Sequence, residues 1–266
     1  MQYTIQYKGE TVSYTSAGSG MPVVLLHGFA EDATVWQYQA PVLQQYCRVI
    51  AVDIPGSGQS AYNPNLQTID DFADCLYALL QQENITQCIM LGHSMGGYIT
   101  VAFAEKYPAN LAAFGFVHST AYADSEEKKQ NRLKGIKMIE EYGSAAFVKN
   151  TMPGLISTGY KQQFADKVNQ LIQNGANFSK KALQQYYRAM MDRPDRTAVL
   201  RSSQCPVLFI AGTEDMAIPL QDALQQMHMP ATCYMHILQN TAHLGMWEAT
   251  EAVNKYVLQF IGDNER

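Results

Sequence analysis

The sequence is short of several things, and each shortage narrows what the protein can do. Its 19 Lys and Arg stand against 24 Asp and Glu, a net charge of −5, with no basic stripe in any segment. That removes the electrostatic footprint of a nucleic-acid partner. No window approaches about eighteen uninterrupted apolar residues, and the opening MQYTIQYKGE lacks a basic stretch followed by an apolar one. A cytoplasmic protein with no membrane partner is therefore expected. The five cysteines (Cys47, Cys75, Cys88, Cys205 and Cys233) are an odd number, widely spaced and without a C-x-x-C pair. They read as reduced, buried thiols rather than disulfides or metal ligands. There is no helical H-E-x-x-H and no clustering of His with carboxylates, so neither metal nor cofactor is expected. The glycines of Asp53 to Ser60 lack the G-x-G-x-x-G spacing of a phosphate cradle, which argues against a nucleotide site.

What is present is a strict alternation of strands and helices. At 266 residues and 47% hydrophobic content, one α/β domain with an insertion is the expected organisation. Tyr3 to Tyr7 and Thr11 to Thr15 alternate around Lys8-Gly9-Glu10, a hairpin of two edge strands. Val23 to Leu26, Arg48 to Val52, Ile89 to Leu91 and Ala112 to Val117 are continuous apolar runs. Separated by helical patterns, such runs indicate parallel strands covered on both faces. Helices are expected over Val35 to Tyr46, over Leu66 to Glu83 with Thr68 as N-cap, and over Tyr98 to Tyr107. From Ser119 to Pro194 the rhythm changes to helical patterns alone: Ser125 to Tyr142, Ser144 to Lys149, Lys161 to Asn174 and Ser179 to Met191. Strand and helix then resume with Pro206 to Ala211, Pro219 to Met227, Thr232 to Leu238 and Leu244 to Ile261. The whole reads as a doubly wound core, 1–118 and 195–266, whose functional groups gather beyond the carboxyl ends of the strands, and a helical cap over 119–194.

One stretch organises the rest: Cys88 to Gly97, CIMLGHSMGG. A strand ends at a serine with Gly92 two places before it and Gly96 two places after, and a helix follows. A serine on so sharp a turn has strained backbone angles, and its neighbours come too close for a Cβ. The turn lifts the Ser94 hydroxyl clear of the sheet and leaves the amide of Met95 free at a helix start, where a developing oxyanion is favoured.

With four further motifs in order, the chain resembles the α/β-hydrolases along nearly its whole length. These are His27-Gly28-Phe29, Asp53-x-x-Gly56-x-Gly58-x-Ser60, Gly212-Thr213-Glu214-Asp215 and Ala242-His243. The resemblance implies the α/β-hydrolase fold: a mostly parallel eight-stranded sheet, helices on both faces and an inserted cap. It implies Ser94 as nucleophile, His243 as general base and Asp215 as the acid that orients it, with Glu214 a rival to Asp215. It places the oxyanion hole at the backbone N–H groups of Phe29 and Met95. His118 occupies a position where some relatives carry an alternative acid, which a histidine does not supply; it faces either the pocket or the core. His27 reads as a loop organiser and His93 as a packing or pocket-wall residue, while His228 and His236 carry no signal. Relatives that open epoxides or displace halide need a carboxylate where Ser94 stands, so those reactions are disfavoured.

The reaction implied is hydrolysis of a small or medium carboxylic ester through an acyl-enzyme. A carbon–carbon bond hydrolase, a lyase like that of menaquinone synthesis, and a non-enzymatic receptor for a small molecule share the scaffold and stay open. The partner expected is a small apolar or acyl molecule, and the chain is expected to be a monomer or weak homodimer. In the cap, Met138, Met152, Met190, Met191, Phe147, Tyr160, Phe164, Tyr186 and Tyr187 either line an apolar pocket or bury cap against core. Arg132, Lys134 and Lys137 either meet a substrate carboxylate or are solvated, and Glu126 to Lys129 reads as an exposed face.

Overall fold

A computed structural model describes residues 1–265. Eight strands form one sheet: β1 (Gln2–Tyr7), β2 (Glu10–Ala17), β3 (Pro22–Leu26), β4 (Arg48–Val52), β5 (Cys88–His93), β6 (Leu111–Val117), β7 (Val207–Gly212) and β8 (Cys233–Leu238). Their spatial order is β1-β2-β4-β3-β5-β6-β7-β8. β1 and β2 pair antiparallel, as do β2 and β4, and every other pair is parallel. The hairpin turns at Lys8 and Gly9, both at positive φ. Of the two hairpin strands only β1 lies at an edge of the sheet, contrary to the expectation for both, and β8 forms the other edge. β2 outruns its partner's turn, and its second half, Tyr14 to Ala17, pairs with Val49 to Val52.

The helices are α1 (Ala40–Leu43), α2 (Ile69–Gln82), α3 (Met95–Lys106), α4 (Glu126–Thr151), α5 (Thr158–Gln163), α6 (Ala165–Ala176), α7 (Lys180–Asp192), α8 (Thr197–Ser202), α9 (Leu220–Gln226), α10 (Gly245–Glu248) and α11 (Thr250–Asn264). α2 starts with a capping box: Asp71 N–H donates to Thr68 Oγ1, and the Asp71 carboxylate accepts from the Thr68 amide, a device worth about 1 kcal/mol. Three expected helices are broken. Over Val35 to Tyr46 a 3-10 turn, Ala33–Trp36, gives way to α1, because Pro41 lacks the N–H that a continuous helix would use and serves as an opening residue instead. Phe164 (φ −128°, ψ 46°) separates α5 from α6, and Ala249 (φ −133°, ψ 47°) separates α10 from α11. Within α4 the backbone leaves helical geometry at Gly143 (φ 87°), where the sequence pattern also breaks.

Between β6 and β7 the chain makes no strand, and α4 to α8 occupy that interval. β5 is buried along its whole length, as are most residues of β3, β4, β6 and β7. The core is thus a sheet with both faces covered, and the carboxyl ends of β3, β5, β6, β7 and β8 point to one rim. All five cysteines are free; Cys47, Cys75 and Cys88 are buried, and burial pushes the Cys75 thiol up to about 12. Among the described residues no helix is long and apolar enough to cross a membrane.

Candidate active site

The turn between β5 and α3 has the strain its glycines foretell. Ser94 sits at φ 49°, ψ −114°, a region that side chains avoid unless their surroundings fix it. Its amide donates to Val117 O at 3.1 Å, and its carbonyl accepts from Gly97 N at 3.0 Å and from Ser119 Oγ at 2.7 Å. A Cβ at Gly92 would lie 2.2 Å from the backbone of Gly96, and one at Gly96 would lie 2.6 Å from Leu26 O. The chain can fold this tightly only with hydrogen at both positions. Among the described residues, the amides of Met95 and Phe29 donate to no protein acceptor. Unpaired N–H groups beside a raised hydroxyl are what an oxyanion site requires.

His243 lies in the loop after β8, fixed at both backbone atoms: its N–H donates to Leu155 O at 3.0 Å and its carbonyl accepts from His93 Nε2 at 2.9 Å. Its Nδ1 donates to Asp215 Oδ2 at 2.8 Å, which leaves Nε2 with a lone pair. Glu214 is exposed and takes no part, so the rivalry for the acid position falls to Asp215, which is 4% exposed. The other carboxylate oxygen of Asp215 accepts from the amides of Ala217 and Ile218, each at 2.9 Å. Burial favours the neutral acid, but the charge of His243 and the hydrogen bonds from His118 and His243 hold Asp215 well below the usual carboxylate range. For His243, burial works against the proton, yet the Asp215 charge and hydrogen bond raise it above the ordinary histidine value.

Ser94 and His243 line one cavity of about 160 Å³ together with Phe29, Glu31, Tyr98, Arg132, Leu155, Tyr187, Met190, Ala217 and Ile218. Ser94 Oγ and His243 Nε2 make no hydrogen bond across it, a looseness common before substrate enters. A larger cleft of about 480 Å³ between the Gly56–Tyr62 loop and Asn174–Ser179 holds no such pair of groups.

Several side chains hold this arrangement that sequence reasoning assigned no part or a lesser one. His118, at φ 50° beyond β6, turns into the core and donates from Nδ1 to Asp215 Oδ2 at 3.1 Å, sharing the oxygen with His243. Burial, first, and then the neighbouring His243 and His93 rings lower its basicity, against the pull of Asp215. Gly245 makes the space, since a Cβ there would lie 2.3 Å from His118 Nε2. His93 proves to be a bridge rather than packing: Nε2 faces His243 O, and Nδ1 faces Glu31 Oε2 at 2.8 Å. The ring thus links the His243 loop to the loop that carries Glu31. Glu31 Oε2 also takes the Gly28 amide at 2.7 Å, fixing the loop that carries Phe29. Glu248 accepts from the amides of Ser157, Ala242 and Leu244, joining the α4–α5 connection to the His243 loop. Apart from those of Glu31 with Gly28 and of Glu248 with Ala242 and Leu244, these pairings join distant stretches of chain, and the acidic residue so close to His27-Gly28-Phe29 was a usable signal.

His27 holds its own loop and the next, through Gly28 O, Ser57 Oγ and the Ile54 amide. Asp53 staples loops as well, accepting from Ala33 N and Gln59 N, each at 2.9 Å. Of the cap residues, Tyr187 and Met190 face the cavity, whereas Met152, Tyr160 and Tyr186 are packed inside. Tyr186 donates to the carbonyl of Pro55. Arg132 is largely buried, lines the cavity and is paired with Asp124. His118, Asp215 and His243 are the one group among the described residues with the composition of a metal site, their ligating atoms within 4.8 Å of one another. Two ring N–H groups donating to one carboxylate oxygen account for that spacing.

Comparison with known proteins agrees with this architecture. Residues 21–135 match the family model of the alpha/beta hydrolase fold. The dihydrolipoyllysine-residue acetyltransferase component of the acetoin cleaving system of Pseudomonas putida is 28% identical over 252 residues, 91% of this chain; the chain spans 64% of that protein's length. The 2-hydroxy-6-oxononadienedioate/2-hydroxy-6-oxononatrienedioate hydrolase of Escherichia coli is 26% identical over 277 residues, 97% of this chain and 93% of that one. The structure of a thermophilic esterase from Thermogutta terrifontis, with malate bound, superimposes with a TM-score of 0.94 at 25% identity and full coverage of both chains. Fold, elbow and motif order converge with these likenesses: the chain has the α/β-hydrolase fold, and its matches support a place in that superfamily.

Proposed function

We propose that the protein is a serine hydrolase that cleaves a small carboxylic ester through an acyl-enzyme. The observation that carries this reading is the His243 Nδ1 to Asp215 Oδ2 bond at 2.8 Å, which leaves Nε2 as a base beside the cavity that Ser94 lines. Ser94 Oγ attacks the acyl carbon while His243 Nε2 takes its proton. The carbonyl oxygen becomes an oxyanion held by the amides of Phe29 and Met95. Collapse breaks the ester C–O bond, and the alcohol leaves with the proton from His243. Water repeats the sequence: His243 takes one of its protons, hydroxide adds to the acyl carbon, and the Ser94 oxygen departs with the proton as the acid is released. Asp215 stays ionised throughout, supporting the imidazolium without accepting its proton. The helices between β6 and β7 act as the cap, supplying Arg132, Leu155, Tyr187 and Met190 to the cavity.

The 26% identity to a hydrolase of 2-hydroxy-6-oxononadienedioate favours carbon–carbon bond hydrolysis as a second reading, with the same serine and base. One experiment addresses both: purified protein is mixed with ethyl esters of increasing acyl length and, separately, with a fluorophosphonate probe. Labelling of Ser94 with turnover peaking at short acyl chains is the expected result. Labelling with no ester turnover favours the carbon–carbon reading. Absence of both removes the activated serine, and the reading with it.

A further inference from the structure

The cavity that Ser94 lines carries a cation with a free edge. Arg132 Nε and Nη2 donate to the two oxygens of Asp124, at 2.5 and 3.3 Å. A guanidinium has five N–H donors in a plane, so Nη1 and the outer hydrogen of Nη2 stay uncommitted, and among the described residues they find no acceptor. Asp124 cannot neutralise this group, because it is shared. Arg193 donates to it from Nη1 at 2.8 Å, and gives its remaining bonds to Met190 O and Tyr122 O. Arg193 also lies over the Tyr98 ring, 3.7 Å from its centroid. Two guanidinium groups against one carboxylate leave an excess positive charge. It sits where Asp124 and Arg193 are 0% and 3% exposed and Arg132 only 17%. A charge so placed is costly unless an anion meets it.

The other acid of the cavity, Glu31, does not supply that anion. Its Oε2 is already engaged by the Gly28 amide and by His93 Nδ1, so it is compensated where it stands. The chamber therefore has two poles, a compensated one beside the oxyanion amides and an uncompensated one at Arg132. Outside it lies a second cleft of about 490 Å³ that shares Arg132, Tyr187 and Ala217 with the first. The charged residues lining it are Lys128, Arg132 and Lys134, with no carboxylate among its walls. Lys128 reaches Asp222 at 3.8 Å, and Lys134 is without an ion pair among the described residues. A cationic approach leading to a free guanidinium edge selects for negative charge.

We infer that the substrate of this site carries a carboxylate on its acyl side, received end-on by the free Nη1–Nη2 edge of Arg132 while the scissile carbonyl lies at Ser94. The inference rests on the hydrolase reading above and adds the substrate class: half-esters of short dicarboxylic acids. The chamber, about 160 Å³, limits the acyl chain to a short one. The planar fork suits a carboxylate in a way that a neutral amide or alkyl end does not.

The test compares monoethyl glutarate with ethyl glutaramate, its neutral planar counterpart, by kcat/KM in the full-length protein. Wild type is expected to prefer the carboxylate by about 10- to 100-fold, the worth of a hydrogen bond to a charged group. In Arg132→Gln the ratio of the two rates falls to near one; Arg132→Lys, which keeps the charge and loses the fork, gives an intermediate ratio. A wild-type ratio near or below one overturns the inference and leaves the Ser94 reading standing. If Ser94 is unlabelled and no ester turns over, the hydrolase reading fails separately. Calorimetric titration with glutarate and glutaramide then decides the carboxylate site: glutarate-selective binding lost in Arg132→Gln supports it, and equal or absent binding in wild type overturns it. Should Arg132→Gln not fold, the wild-type preference and glutarate selectivity decide alone.

Discussion

The two sides of the cavity are built by different means. On the sheet side, the turn from β5 to α3 is fixed by backbone: a strained serine, two glycines with no space for a Cβ, and carbonyls of neighbouring strands pressed against them. On the side of the inserted helices, the cavity wall is fixed by side chains that meet across long stretches of chain. Arg193 reaches Asp124 from 69 residues away, and Phe29 stacks on Tyr187 with ring centroids 4.2 Å apart. A site made of backbone tolerates almost no substitution but recurs wherever the chain turns this way. A site made of side-chain encounters can be re-cut residue by residue. In the proposed function the chemistry belongs to the first side and the choice of substrate to the second.

Substitutions can break this division or sharpen it. The largest effect is expected from Ser94→Ala, His243→Ala and Asp215→Asn, each lowering kcat for the ester by about 10⁴- to 10⁶-fold because the three act as one unit. Near-full activity in any one, measured by pH-stat, removes that residue from the unit. Next comes Gly96→Ala. Its Cβ would lie 2.6 Å from Leu26 O, and such overpacking costs about 1–3 kcal/mol, read as a lower urea midpoint with unchanged slope. An unchanged midpoint would mean that the elbow yields and that the backbone side is soft.

His118→Ala is expected to lower kcat about tenfold, since it removes one donor from the oxygen that His243 uses. It also leaves more negative charge on Asp215, so the acid limb of the pH profile moves upward. A merely structural role would lower stability and leave that limb in place. In the wild type the base must be neutral to act, and its basicity is raised above 6.5. The limb therefore rises with pH around a midpoint above that value, and a midpoint below it contradicts the Asp215 pairing. For stability the sign is opposite in the two partners. The depressed Asp215 contributes above its unfolded value and loses this as pH falls through the folded one. The raised His243 contributes below its unfolded value and loses this as pH rises through the folded one. The smallest effect is expected from Lys134→Gln at the outer cleft: about a twofold loss of kcat/KM for monoethyl glutarate at low salt, vanishing at high salt.

The sequence made the backbone side legible and much of the other side illegible, for a physical reason. Gly92, Ser94 and Gly96 announce themselves because steric necessity acts within five residues, and Asp215 and His243 because each ends a strand at the same rim. His118 stayed open between pocket and core because its partner is 97 residues away, and a ring at a strand end gives no sign of which way it turns. Arg132 showed only as one of several cations on a helix, since its half-buried setting depends on Asp124, Arg193 and Tyr187 together. The sheet was legible in composition and nearly so in boundaries. The helices Val35 to Tyr46 and Lys161 to Asn174 were not, because periodicity passes over Pro41 and over the single non-helical residue Phe164.

The loop that holds His243 is tied to the inserted helices by backbone, through Leu155 O and through the three amides gathered by Glu248. Heat will therefore not act on the protein in one stage. Helices packed on a rim loosen before a sheet covered on both faces does. When Leu155 and Ser157 move away, the imidazole loses its anchor while the strands are still paired. Activity should fail at a temperature where circular dichroism still reports an intact fold, and should return on cooling, so that the insertion works as the thermal fuse of the site.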